Sequence, residues 1–278
     1  MRPDAPLELA AQPRIGALLG ALGIVDAHHS FDALGLEALF GDGGEGWQPL
    51  PALAKVGRLV SWFGARDAGF VARLRAQAAD VVVARSVPPD GTPVWRHLLA
   101  TVGGDGAGDC TPVTVPPAMR EAGRLTLARA GWTEGPLAIV HPGAGGPSKR
   151  WPAAGFARVA EHLAARPGTT VLLHEGPADG GAVAGVQAML ARECRVLRRP
   201  SLPELAGALQ HVTAYAGNDS GVSHLAAAIG VRALVLFVAE NRRWQSWSPA
   251  ARARIVSTAA LAPADAAGVL ADLDAGLG

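Results

Sequence analysis

Residues 141–152, with the sequence HPGAGGPSKRWP, form a loop whose residue types suit a diphosphate. Three glycines after an apolar run let the backbone approach an anion closely, and the helix that follows supplies unpaired N–H groups. Ser148, Lys149 and Arg150 add a hydroxyl and two cations. The loop is not a P-loop, because Ser148 and Arg150 stand where that motif requires Gly and Ser or Thr. A glycine-rich turn with solvated charges is the alternative interpretation.

A second loop, residues 217–225 (GNDSGVSHL), joins an apolar strand to a helix that begins near Gly221. Asp219 or Ser220 is the predicted N-cap of that helix, which leaves Ser220, Gly221 and nearby N–H groups available to phosphate oxygens. His224 lies one turn into the helix, where its imidazole can face the same ligand. The alternative is a capped helix with a packed histidine, since histidine is commonly half-buried.

Two other chemistries fit these residues less well. A serine hydrolase would use Ser220, His224 and Asp219, but Gly217 lies one position too early for the G-x-S-x-G pattern. A histidine four residues along the same helix is also poorly placed as the base of a triad. The eight histidines are scattered and no H-x-x-E-H or C-x-x-C spacing occurs, so we predict no metal site.

Short apolar runs alternate with helical patterns, which is typical of βαβ units and a parallel sheet. In the second half, we predict strands at residues 137–141, 170–174, 195–197, 214–217, 233–238 and 253–256, and helices at residues 153–165, 182–192, 202–211, 221–229 and 263–277. In the first half, we predict strands at residues 7–11, 58–64 and 80–84, helices at 13–22, 68–78 and 116–131, and a glycine-rich linker at 103–109. Ligands bind at the carboxyl ends of parallel strands, so both candidate loops are expected at one edge of the sheet.

The composition excludes several classes of protein. Apolar residues make up 49% of the chain, charged residues 18%, and the net charge is +1, so neither a disordered chain nor a nucleic-acid partner is expected. The two cysteines cannot form a disulfide framework, and no apolar run is long enough to span a bilayer. These features predict a cytoplasmic protein. Only Lys55 and Lys149 are lysines among the 25 basic residues.

Four segments taken together resemble the glycosyltransferase family that includes the ADP-heptose:lipopolysaccharide heptosyltransferases. They are residues 141–144 (HPGA), 149–152 (KRWP), 200–202 (PSL) and 219–228 (DSGVSHLAAA). The resemblance implies an α/β, GT-B-like fold of two Rossmann-like domains that face each other across a cleft. An acceptor-side domain would occupy residues 1–133 and a nucleotide-sugar-binding domain residues 134–278, with no metal or other cofactor.

The same resemblance implies an activity, partners and roles for particular residues. The chain would transfer a heptose, with inversion, from ADP-heptose or a similar donor to a lipopolysaccharide inner-core or other glycan acceptor. This would take place in the cytoplasm, with at most peripheral contact at the inner face of the inner membrane. Lys149 and Asp219 are the expected catalytic residues. The expected substrate-binding residues are Ser148, Lys149, Pro200, Asp219, Ser220, Gly221 and His224.

The chain departs from the family pattern at its N-terminus. Family members begin with a strand, a glycine-rich turn carrying an Asp and a helix, all before a Pro-Asp-Ala segment that here occupies residues 3–5. That Asp is the expected general base for the acceptor hydroxyl. We therefore expect an incomplete N-terminal domain, from a late start codon or a truncated gene. The alternative function is a non-catalytic nucleotide-sugar-binding relative that lacks the base.

Overall fold

A computed structural model describes residues 5–40, 49–105 and 110–277 of the chain. It contains two compact units that divide between residues 109 and 110. The predicted boundary after residue 133 therefore falls inside the second unit. Residues 106–109 of the predicted linker, and residues 3–4 of the Pro-Asp-Ala segment, lie outside the described residues.

The described part of the first unit contains two small parallel sheets. Its described elements are β1 (Glu8–Ala11), α1 (Pro13–Ala21), β2 (Ala27–Ser30), β3 (Arg58–Ser61), α2 (Ala68–Arg75), β4 (Asp80–Val83) and α3 (Val94–Thr101). β1 pairs with β2, and β3 pairs with β4, each in parallel. A small apolar core forms around Phe70 and Leu74 of α2 together with Leu39, Leu50 and Leu53. The sequence patterns missed β2 and α3.

The second unit is built on one six-stranded parallel sheet. Its described elements are α4 (Pro117–Arg129), β5 (Leu137–His141), α5 (Ala153–Ala164), β6 (Thr170–Glu175), α6 (Gly180–Gln187), β7 (Arg195–Arg198), α7 (Leu202–Leu209), β8 (Ala214–Asn218), α8 (Gly221–Ala228), β9 (Ala233–Phe237), β10 (Ala251–Ile255) and α9 (Pro263–Leu277). The strand order is β10-β9-β8-β5-β6-β7. Every predicted strand of this half is present, and no end differs from the prediction by more than two residues.

The central strands of this sheet are buried along their whole length. All residues of β5, β8 and β9 are buried, as expected for parallel strands covered on both faces. On one face, Phe156 and Leu163 of α5 pack with Val183 of α6 and Val269 of α9 in a single apolar core. The sheet is therefore a rigid support for the loops at its carboxyl edge.

Close packing of two helices places α4 in the second unit. A Cβ at Gly207 of α7 would overlap the carbonyl oxygen of Met119, and a Cβ at Gly123 of α4 would overlap the backbone of Gly207 and Ala208. The two backbones can approach this closely only because both positions are glycine. This contact explains why the unit boundary precedes α4 rather than following it.

Candidate functional site

Two neighbouring strands bring the candidate loops together. β5 pairs with β8 in parallel, so the loop that follows His141 and the loop that follows Asn218 leave the same edge side by side. The backbone N–H of Asp219 donates to the carbonyl of Leu236 at 2.8 Å, which anchors the second loop to β9 as well. The strand order thus fixes the relative positions of both loops.

Asn218 joins the two loops directly. Its Nδ2 donates to the carbonyl oxygen of Pro142 at 2.8 Å, and its Oδ1 accepts from the backbone N–H of Trp151 at 3.0 Å. The residue is fully buried. A buried amide satisfied on both sides favours one arrangement of the loops over others, since an alternative would leave polar groups unpaired. The sequence patterns alone gave no signal for this role of Asn218.

Asp219 is the centre of the candidate site. Its Oδ2 lies 3.0 Å from Lys149 Nζ and 3.1 Å from Asn241 Nδ2, and its Oδ1 lies 3.3 Å from His224 Nε2. The Asp219 side chain is 5% exposed, whereas those of Lys149 and His224 are 37% and 34% exposed. Lys149, His224 and Asn241, which lie in three different segments of the chain, therefore all donate to one buried carboxylate. The Lys149 ammonium is on the solvent side of it.

The hydrogen bonds to Asp219 determine its charge. Burial raises its pKa, but the hydrogen bonds from His224 and Lys149 and the charges on both residues lower it, and the pKa lies below its usual value. Asp219 is therefore an anion at neutral pH. A carboxylate with a low pKa and three donors is a weak general base, but it is well suited to orient a cation and to accept from hydroxyl groups.

The N-terminus of α8 opens beside this carboxylate. Ser220 is the N-cap, and its Oγ accepts from the backbone N–H of Ser223 at 3.3 Å. A Cβ added to Gly221 would find no atom within 4 Å, so a ligand can reach the first N–H groups of the helix. The serine hydrolase interpretation is not supported, because a triad needs the histidine ring on the serine hydroxyl. The Ser220 Oγ instead hydrogen bonds to the hydroxyl and the backbone N–H of Ser223.

Two of the predicted binding residues lie further from Asp219. Ser148 is part of the 3₁₀ turn Pro147–Lys149, and its carbonyl oxygen accepts from the Thr258 hydroxyl at 3.1 Å. Pro200 follows β7, the edge strand, which is separated from β5 by β6. The structure therefore brings Lys149, Asp219 and His224 into contact, while Pro200 lies at the far end of the same edge.

The Pro200 end of the edge carries an ion-pair cluster. The buried Glu175 carboxylate accepts from Arg198 Nη1 at 2.6 Å and from Arg199 Nε at 3.2 Å. Arg199 has a φ of 46°, which is unusual for a residue other than glycine. Both arginines therefore neutralise the buried Glu175 carboxylate, which lies at the end of β6.

A buried histidine pair lies beneath the first loop. His141 Nδ1 and His174 Nδ1 are 3.0 Å apart, and both residues are 2% exposed. Burial lowers the pKa of both rings. For His141, the charge of Asp179 opposes this effect and that of Arg150 adds to it. The pair is therefore uncharged at neutral pH and contributes no cation to the site.

The described residues hold neither a metal-binding cluster nor a membrane-spanning helix. Within residues 5–40, 49–105 and 110–277, no three His, Cys, Asp or Glu side chains are grouped so that they could hold a metal ion. In the same ranges, no helix has both the length and the apolar character that crossing a bilayer requires.

The sequence of the second unit shows which family the chain belongs to. The family model of glycosyltransferase family 9 (heptosyltransferase) matches residues 109–265, more than half of the sequence. The chain belongs to glycosyltransferase family 9. The matched region contains both candidate loops, the histidine pair and the Glu175 cluster.

A curated relative agrees with this membership. Lipopolysaccharide heptosyltransferase 3 of Escherichia coli is 30% identical over 158 residues, which are 54% of this chain and 45% of that protein. The match therefore spans less than half of the relative's length.

Solved structures of two heptosyltransferases and of a family 9 glycosyl transferase share the fold. The E. coli ADP-heptose lps heptosyltransferase II superposes with a TM-score of 0.71 at 20% identity, over 99% of this chain and 90% of that one. The E. coli heptosyltransferase WaaC with ADP gives a TM-score of 0.54 at 17% identity, over 81% and 75% of the two chains. A family 9 glycosyl transferase from Veillonella parvula gives 0.53 at 21% identity, over 63% and 52%. These likenesses confirm the predicted α/β, GT-B-like fold class.

Proposed function

We propose that the second unit binds the diphosphate of a nucleotide-sugar donor, ADP-heptose or a close relative, and that the chain transfers the sugar from it with inversion. The proposed acceptor is a lipopolysaccharide inner core or another glycan. The proposal includes a cytoplasmic location, with at most peripheral contact at the inner face of the inner membrane. One observation carries it: Lys149, held by the Asp219 carboxylate, lies beside the open N-terminus of α8 in a family 9 chain.

Each residue of the site has a distinct role in this proposal. The Lys149 ammonium stabilises the negative charge that develops on the leaving diphosphate. A cation placed where charge develops in the transition state has a large effect on rate. The N–H groups of Ser220 and Gly221 bind phosphate oxygens, as helix N-termini do. Asp219 holds Lys149 in place and accepts from a sugar hydroxyl. His224 borders the same phosphates, Ser148 lies next to Lys149, and Pro200 borders the nucleobase.

The affinity for ADP tests this proposal. Replacing Lys149 with Ala removes one charge-assisted hydrogen bond, which is worth about 1.5–3 kcal/mol, so we expect roughly ten- to a hundredfold weaker binding of ADP. Titration calorimetry of the wild-type chain and the K149A variant measures the difference.

Lys55 provides a matched control, because it is the only other lysine of the chain and lies in the first unit. We expect Lys55→Ala to bind ADP like the wild type and Lys149→Arg to recover part of the lost affinity. Equal ADP affinity of the wild type and Lys149→Ala would remove Lys149 from the site. A wild-type chain that binds no ADP would contradict the proposed function as a whole.

A further inference from the structure

The connection between β9 and β10 contributes to the site, although the sequence patterns gave it no such role. It contains a 3₁₀ helix, Ala239–Trp244, which begins two residues after β9 ends. Within it, Asn241 Nδ2 donates to Asp219 Oδ2 at 3.1 Å. Since β9 is the neighbour of β8, this helix lies directly beside the loop that carries Asp219.

The geometry of a 3₁₀ helix places Trp244 on the same face as Asn241. Residues three apart are eclipsed in such a helix, and a rise of about 2.0 Å per residue separates them by roughly 6 Å along the axis. Trp244 is 38% exposed, so a large part of its indole faces solvent. Packing within the protein therefore covers only part of this side chain.

Asn241 has hydrogen-bonding capacity that Asp219 does not use. Its Nδ2 donates to the carboxylate, while its side-chain oxygen can still accept from a hydroxyl. Asp219 in turn accepts from three donors and retains room for one more. An exposed aromatic face beside amide and carboxylate oxygens is the combination that carbohydrates bind, because a sugar ring offers C–H groups on its face and hydroxyls at its edge.

The strand order determines which part of a donor lies here. A diphosphate at the ends of β5 and β8 has one substituent toward β6 and β7 and the other toward β9 and β10. The Pro200 side, beyond β6, is the proposed nucleobase side. The sugar therefore extends in the opposite direction, toward Asn241 and Trp244.

We propose that Asn241 and Trp244 form the subsite for the sugar of the nucleotide-sugar donor and determine which sugar is accepted. The indole of Trp244 packs against the C–H face of the ring, and the side-chain oxygen of Asn241 accepts from a ring hydroxyl. This inference rests on the proposed function, because it assumes that the diphosphate binds at Lys149 and the α8 N-terminus.

The test compares two probes, ADP and ADP-heptose, by titration calorimetry on the whole chain. We expect the wild type to bind ADP-heptose more tightly than ADP. Trp244→Ala should weaken the binding of ADP-heptose roughly three- to tenfold, as expected for the loss of one aromatic contact. The affinity for ADP should not change. Asn241→Ala should also lower the preference for ADP-heptose over ADP. Trp244→Phe should keep most of the preference that Trp244→Ala loses.

Trp247→Ala is the matched control, because Trp247 is 37% exposed but lies beyond the end of the 3₁₀ helix. It should bind both probes as the wild type does. Equal loss for both probes in Trp244→Ala, no loss for either, or the same selective loss in Trp247→Ala would overturn the subsite and leave the ADP site standing. A wild type that binds neither probe would overturn the proposed function, and this inference with it.

Discussion

His141 and His174 share a hydrogen bond between their Nδ1 atoms in a place where water hardly reaches either ring. One nitrogen must donate and the other accept, so the bond is lost when both rings are protonated. Burial already lowers both pKa values below that of an exposed histidine. The unfolded chain therefore takes up protons at a higher pH than the folded one. The stabilisation of the folded state by the neutral histidine pair is complete above about pH 6.5. It is lost as the pH falls through the pKa values that the two rings have in the folded state.

We therefore expect the free energy of unfolding to fall between pH 7 and pH 5. The slope can approach about 1.4 kcal/mol per pH unit for each extra proton that the unfolded state binds. His174→Phe removes one of the two buried titrating rings and should reduce this slope. Urea unfolding at several pH values measures it, with His211→Gln as the control because His211 is only partly buried. An unchanged slope in His174→Phe would show that the pair does not cause the dependence.

The candidate residues in the glycine-rich loops after strands could be predicted from the sequence. Residues such as Asn241, which reach the site only because of the order of the strands in the sheet, could not. Lys149 stood out because a cation beside a helix start suits an anion, and Asp219 and His224 because they flank the start of a capped helix. Asn241 is 22 positions from Asp219, so its role depends on β9 lying next to β8. Asn218 gave no signal beyond being polar at the end of an apolar strand. Residue types could be read from the sequence, whereas the distances between them could not.

Among the elements, the pair α4 and α7 shows how one contact decides the extent of a unit. The helices meet through Gly123 and Gly207, and neither position has room for a Cβ. The periodicity of residues 116–131 correctly indicated an amphipathic helix, but it could not show which partner that helix covers. The boundary that the family resemblance implied lies after α4. The buried strands of the second unit were predictable because apolar runs of four to eight residues mark them, whereas β2, with the sequence AHHS, has no such run.

Gly207→Ala should destabilise the second unit by about 1–3 kcal/mol, because the added methyl group forces the two helix backbones apart. Gly181→Ala is the control. Gly181 also lies in a helix, but a Cβ there meets no atom within 4 Å. Alanine is the better helix former, so Gly181→Ala should be neutral or stabilising. Urea denaturation of both variants measures the difference. Equal stability of Gly207→Ala and the wild type would mean that α4 is not held by this contact.

At the scale of the whole molecule, the two units differ in how their sheets are covered. The second unit has six strands in one sheet, with β5, β8 and β9 buried throughout. In the first, the strands that the structure describes form two separate pairs, and no residue of β1, β2, β3 or β4 is buried. Two-stranded sheets are marginal by themselves and rely on the elements packed against them. The candidate loops therefore lie on the better-protected unit.

This contrast predicts that backbone amides of the two units exchange with solvent at different rates. Opening β1–β4 exposes little apolar surface, so it costs less free energy than opening the central strands of the second unit. We expect amide hydrogens of β1–β4 to exchange clearly faster than those of β5, β8 and β9, with the edge strands β7 and β10 in between. Hydrogen–deuterium exchange followed by mass spectrometry compares all of them in one sample of the intact chain. Protection of β1–β4 equal to that of β5, β8 and β9 would show that the first unit is held by more than its two strand pairs, and the expected difference in stability would not exist.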